Sequence, residues 1–148
     1  MKVYIVITIL LVCATQFKII ECGKKMDIDG LKDMLKPMSK SCKTKTGVSD
    51  ELIAGTANGI WPRERSLMCY FKCLAVMLKA MNKQGEITLR EINRQLNILV
   101  IDELVPRMKQ ILEQCLATAT PSDDACEYAF NLIVCGYKAD PTLYFLPS

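Results

Sequence analysis

Apolar residues along this chain recur every three or four positions rather than every second one, the pattern of helices that each bury one face. From Asp27 to Lys40 the apolar positions Leu31, Met34, Leu35 and Met38 fall on one side of a helix, with Pro37 placed to kink it near its end. Lys43 to Gly47 has no periodicity and reads as a loop. Ser49 can cap a short helix from Asp50 to Ala57 that stops at Asn58-Gly59, and Trp61-Pro62 belongs to the next connection. The longest periodic run, Arg65 to Met81, carries Met68, Phe71, Leu74, Ala75, Leu78 and Met81 along one side and is the expected central helix. Asn82 to Gly85 is a turn, after which Thr88 can cap a helix from Leu89 to Val100 with Leu89, Ile92, Leu96 and Leu99 inside. A fifth helix starts at Asp102 or Val105, tolerates Pro106 in its first turn, carries Met108, Ile111, Leu112 and Cys115, and ends near Pro121. Ser122 can cap a sixth, from Asp123 to Lys138, with Asp123 and Asp124 at its positive end. Pro141 stops that helix and leaves an apolar tail to Ser148. No run alternates as a strand does, so the expected fold is all-α, six helices with an apolar tail.

The first 22 residues differ from the rest. Met1 and Lys2 make a short positive start, and Val3 to Ala14 is almost wholly apolar, too short to cross a bilayer comfortably. This is the pattern of a secretory signal, with cleavage after the small residue Cys22 and a mature chain beginning at Gly23; a cut after Ala14 would leave a very short signal. A membrane anchor is the alternative, but no stop-transfer segment follows. The expected organisation is thus a signal peptide over 1–22 and one domain over 23–148, secreted and with no stable membrane insertion.

Composition then narrows the chemistry. A chain of 148 residues that is 51% hydrophobic suits one domain, and a formal charge of +3 spread along its length gives little reason to expect nucleic-acid binding. Histidine is absent altogether, which removes Ser-His-Asp and Cys-His catalysis, histidine-ligated metals and the histidine proton switch together. Asp123-Asp124 could be read as paired carboxylates, but adjacent helical positions point about 100° apart and capping already explains them. No enzyme activity, cofactor or metal is expected, and with no Asn-x-Ser/Thr acceptor no N-glycosylation.

Of eight cysteines, Cys13 and Cys22 leave with the signal, and Cys42, Cys69, Cys73, Cys115, Cys126 and Cys135 remain. An even count in a secreted domain implies three disulfides, although six cysteines allow fifteen pairings and spacing does not choose among them. Cys69 and Cys73 emerge on one helical face, one turn apart, so each can staple a different neighbour. Zinc ligation there lacks both a histidine and a C-x-x-C pair.

The intervals Cys42-x26-Cys69-x3-Cys73-x41-Cys115-x10-Cys126-x8-Cys135 resemble the signature of insect odorant-binding proteins of the six-cysteine pheromone/general-odorant-binding class. They do not look like those of saposin-like lipid proteins. The likeness spans Met26 to Pro147, including Lys45-Thr-Gly-Val-Ser-Asp50, Met68-Cys-Tyr70 and the ending Ala139-Asp-Pro-Thr-Leu-Tyr-Phe-Leu146, and is greatest to short-tailed members from flies and mosquitoes. The resemblance implies the pairs Cys42–Cys73, Cys69–Cys126 and Cys115–Cys135, and a hydrophobic cavity.

By periodicity alone Leu31, Leu35, Leu74, Leu78, Ile92, Leu96, Met108, Ile111 and Ile133 are core residues. The resemblance implies instead that such positions wall a ligand cavity, together with Met38, Met68, Ala75, Leu89 and Leu112. Met38, Met68 and Met108 suit an adaptable wall, and Ala75 and Ala80 offer no hydroxyl to orient a ligand. In short-tailed relatives the segment matching Tyr144, Phe145 and Leu146 tucks over the cavity, and Tyr70 resembles a position that helps hold the tail carboxylate. The implied function is a secreted carrier of small, uncharged, lipophilic odorants or pheromone-like signals, present as a monomer or weak homodimer and delivering to an odorant receptor. The alternative is a non-sensory scavenger or carrier of lipophilic hormones, toxins or host amines. Relatives often release ligand as pH falls; here that response would have to come from carboxylates or the chain terminus.

Overall fold

The computed structural model describes residues 23–120 and 122–147; the expected signal segment lies outside the described residues. Helix α1 runs Ile28–Thr46, α2 Asp50–Ala57, α3 Arg65–Met77, α4 Leu89–Leu99, α5 Val105–Thr118 and α6 Ala125–Ala139, followed by a single 3-10 turn at Pro141–Leu143. No strand occurs among the described residues, only two isolated bridges, Met26 with Val100 and Met81 with Ile87. The architecture is the all-α, six-helix one expected.

Helix α1 begins where Asp27 accepts a hydrogen bond from the Gly30 amide, and it runs through Pro37 and through the stretch expected to be a loop. Burial explains the extension, because Leu31, Leu35, Ser39 and Cys42 form one buried stripe that carries the helix a turn past Lys40. The polar residues beyond suit a helix end. Lys43 and Lys45 sit at its negative pole, Thr44 and Thr46 donate back to the carbonyls of Lys40 and Cys42, and Gly47 takes the left-handed conformation that stops it. Ser49 caps α2 as expected, accepting from the Leu52 amide.

Helix α3 is the hub, with Leu67, Tyr70, Phe71 and Leu74 buried, and it packs against both α1 and α6. It stops at Leu78, short of the expected Met81, because Lys79 adopts a positive φ of 55° and turns the chain into a hairpin that pairs Met81 with Ile87. Thr88 precedes α4 but its hydroxyl makes no capping bond; its amide is committed to the Ala80 carbonyl across the hairpin. At the start of α6 the cap is Asp124, accepting from the amides of Cys126 and Glu127, while Ser122, the expected cap, sits two residues earlier and accepts from the Asp124 amide. Helix α5 starts at Val105, the later of the two expected positions, and closes at Thr118.

Three disulfides, Cys42–Cys73, Cys69–Cys126 and Cys115–Cys135, tie α1 to α3, α3 to α6 and α5 to α6, the pairing implied by the resemblance. Two buried clusters flank these links. The larger joins Leu35, Ile53, Leu67, Tyr70, Phe71, Phe130 and the tail's Leu146; the smaller joins Leu31, Val100 and Val105.

The hairpin docks on α6 at Gly85, whose φ is 97° and where an added Cβ would come within 2.6 Å of the Ala125 Cβ. Gly85→Ala is therefore expected to destabilise the protein by about 2 kcal/mol, combining an unfavourable backbone conformation with overpacking. Urea unfolding measures it, and a loss within about 0.5 kcal/mol would show that the hairpin moves aside freely.

Candidate functional site

The helices do not close completely on one another; they leave a cavity of about 240 Å³. Phe71, Leu74 and Ala75 of α3 form one wall, continued by Leu78, Ala80, Met81 and Ile87 of the hairpin. Ile92 and Leu96 of α4, with Met108, Ile111, Leu112 and Cys115 of α5, form the second. Ala129, Leu132, Ile133, Gly136 and Tyr137 of α6 form the third, and Leu143, Tyr144, Phe145 and Leu146 of the tail close the space. Helix α4 has no fully buried residue, because its apolar face borders the cavity rather than packed side chains.

The cavity thus brings together Leu74, Ala75, Leu78, Ile92, Leu96, Met108, Ile111, Leu112, Ile133, Tyr144, Phe145 and Leu146 among the expected positions. Five others lie elsewhere. Leu31 is buried against Val100 and Val105, Leu35 is fully buried in the larger cluster, and Met38 and Met68 pack on that cluster's edge. Leu89, the first residue of α4, is 46% exposed. Helix α1 contributes no cavity residue, since its apolar face is spent on α3. Positions that the sequence reading passed over are Ile87 of the hairpin, Leu143 of the tail and, on α6, Leu132, Gly136 and Tyr137, with Ala129 beside them. The recurrence of these α6 residues with Ile133 at spacings of three and one is the mark of a second apolar stripe on that helix.

Among the described residues two lining side chains carry a hydroxyl, Tyr137 and Tyr144, and both reach the end of α2. Tyr137 donates to the Ala57 carbonyl at 3.2 Å; the Tyr144 oxygen lies 2.7 Å from Thr56 Oγ1, which itself donates to the Ile53 carbonyl at 2.6 Å. Burial pushes the Tyr144 phenol well above its ordinary pKa, so it stays protonated. Behind these rings stands Trp61, its centroid 5.3 Å from that of Tyr137, 5.8 Å from Tyr144 and 5.7 Å from Phe71. The buried Tyr70 hydroxyl pairs with Ser39 of α1 at 2.8 Å, and the Tyr144 hydroxyl of the tail meets Thr56. The chain's last residue, to which the tail-carboxylate contact would go, lies outside the described residues.

The tail is set by Asp140. Its carboxylate accepts from the Thr142 hydroxyl at 2.6 Å and the Thr142 amide at 3.2 Å, and Arg107 of α5 lies 3.3 Å away. The Thr142 hydroxyl above all, with Arg107, holds this carboxyl below the usual carboxylate range. A lowered folded-state pKa means that the stabilising contribution is complete above the unfolded value, about 4, and is lost only as pH falls through the folded value. The tail's anchorage at Asp140 is therefore expected to be unchanged from pH 7 to pH 5 and to loosen only below about pH 4. Trp61 emission across that range measures it, and a transition near pH 6 would contradict the assignment.

Among the described residues no helix is long and apolar enough to cross a membrane. General odorant-binding protein 72 of Anopheles gambiae is 28% identical over 104 residues, 70% of this chain and 85% of that protein. The fold is similar to that of Apis mellifera odorant binding protein 5, with a TM-score of 0.74 and 29% identity over 84% of this chain and 100% of that one. It is also similar to odorant binding protein 4 of the predator Chrysopa pallens, with a TM-score of 0.71 and 30% identity over 79% and 95% of the two chains. The family model described as the PBP/GOBP family matches residues 24–139, from just before α1 to the last residue of α6, and the chain belongs to that family.

Proposed function

We propose that this protein is a secreted carrier, with residues 1–22 removed as a signal, that takes up small hydrophobic odorant or pheromone-like molecules and conveys them through aqueous fluid to receptors. The observation that carries the reading is the hydrocarbon-lined cavity. Apolar space left unfilled costs stability, because the side chains that line it lose packing partners. Three disulfides offset such a cost and let the interior stay hollow. The volume falls just below the usual range of ligand sites and suits one compact molecule rather than a long lipid.

No chemical step is part of this function. Affinity comes from burial: covering a few hundred Å² of apolar ligand surface at about 25 cal/mol per Å² gives several kcal/mol, which after association costs is the scale of micromolar binding. The test is a titration of the oxidised protein with a hydrophobic fluorescent reporter, followed by competition with neutral lipophiles. Reporter uptake that such molecules reverse is the expected result. No uptake by a folded protein with all three disulfides formed would overturn the carrier reading.

A further inference from the structure

The cavity's two hydroxyls have a donor and acceptor balance that follows from counting protons. A carbonyl oxygen only accepts, so Tyr137 must give its one proton to Ala57. By the same reasoning Thr56 gives its one proton to the Ile53 carbonyl, and in the 2.7 Å contact with Tyr144 it can therefore only accept. Tyr144 is then the donor there. Both phenolic protons are committed to α2, outside the cavity wall, while each oxygen keeps a lone pair. Among the described residues the remaining lining side chains are hydrocarbon, save Met81, Met108 and the half-cystine Cys115, and none of these donates a hydrogen bond.

We infer that the cavity selects, among lipophiles of one size and shape, those that donate a hydrogen bond over those that only accept one, and that Thr56 sets this preference by holding the Tyr144 proton. The inference rests on the carrier reading and gives it a ligand class: alcohols and phenols in preference to ketones, esters and aldehydes. The preference requires a ligand hydroxyl to donate to the free lone pair of the Tyr144 or Tyr137 oxygen at the edge of the wall, whereas a buried ketone meets no free side-chain proton among the described lining residues. Carboxylates fare worst, since among the described residues neither a cationic side chain nor an uncommitted side-chain donor lines the space.

Menthol, menthone and menthane share a carbon skeleton and differ only in the oxygen function, so competition of each against the fluorescent reporter isolates it. With affinities expressed relative to menthane on the same protein, menthol is expected to exceed menthone by about fivefold, the scale of one net hydrogen bond. Thr56→Val keeps the side-chain shape and frees the Tyr144 proton; the preference should shrink by fivefold or reverse as menthone gains. Tyr144→Phe removes the acceptor without touching buried Thr56 and should lower menthol alone, which decides the matter should Thr56→Val fail to fold by circular dichroism. If menthane does not displace the reporter from the unmodified protein, the carrier reading itself falls, and this inference with it. If menthane binds but menthone equals or exceeds menthol, or neither substitution moves the ratio, the donor preference is overturned while the carrier reading stands.

Discussion

Replacing Cys69 and Cys126 together by alanine is expected to cost the protein about 4 kcal/mol, the largest loss of the three disulfides. This link closes a span of 57 positions, against 31 for Cys42–Cys73 and 20 for Cys115–Cys135. In the chain-entropy account the longer loop confines the unfolded chain more, and the shortest is worth about 3 kcal/mol. Location works in the same direction. The bond joins α3 to α6, two helices that supply walls of the cavity and much of the larger buried cluster. Denaturant unfolding under non-oxidising, non-reducing conditions, comparing the three double alanine variants, checks both the size and the order. A loss below about 1 kcal/mol for the Cys69–Cys126 pair would show that helix packing alone holds α3 on α6.

Removing residues from Tyr144 to the end should weaken reporter binding at least tenfold and cost about 3 kcal/mol of stability. Leu146 is only 4% exposed and belongs to the larger buried cluster, Phe145 packs against both clusters, and Tyr144 is pinned to Thr56. Fully burying one such side chain is worth about 1.5–3 kcal/mol, and the three together close the cavity, so the deletion removes burial and admits water at once. Trp61 is the chain's one tryptophan and lies edge-on to Tyr144, so its emission should shift to the red in the shortened protein. Unchanged binding with unchanged Trp61 emission would mean that the tail lies on the surface and walls nothing.

How much of this was legible in the sequence differs from helix to helix. Periodicity marks the cavity-facing side of α3 and of α5, but it leaves out Leu67 and Tyr70, which α3 buries as well because it packs against both α1 and α6. It cannot say whether an apolar face meets a void or a neighbour. Leu35 and Leu74 follow the same rule of spacing, yet Leu35 is locked in the larger cluster while Leu74 faces the cavity as well. On α6 the informative residues are small. Ala129 and Gly136 leave room rather than fill it, a contribution that hydrophobic spacing does not register. The polar run after Lys40 reads as a loop by composition, and becomes helix because Cys42 must be buried to reach Cys73. The reversal at Lys79 depends on a positive φ at a non-glycine residue, which no local signal announces. Cystine pairing came from the resemblance, since fifteen pairings satisfy the spacing equally well.

The disulfides also overlap along the chain. Cys69 lies inside the span from Cys42 to Cys73, and Cys115 lies inside the span from Cys69 to Cys126. Every peptide bond between Cys42 and Cys135 is therefore bridged by at least one cystine, and a protease that nicks any of them leaves a single covalently joined body. Only the first stretch of α1 and the chain from Gly136 onward can be severed. The second of these carries Gly136, Tyr137 and the tail residues of the wall, so proteolysis can shed a piece of the cavity wall at that end alone.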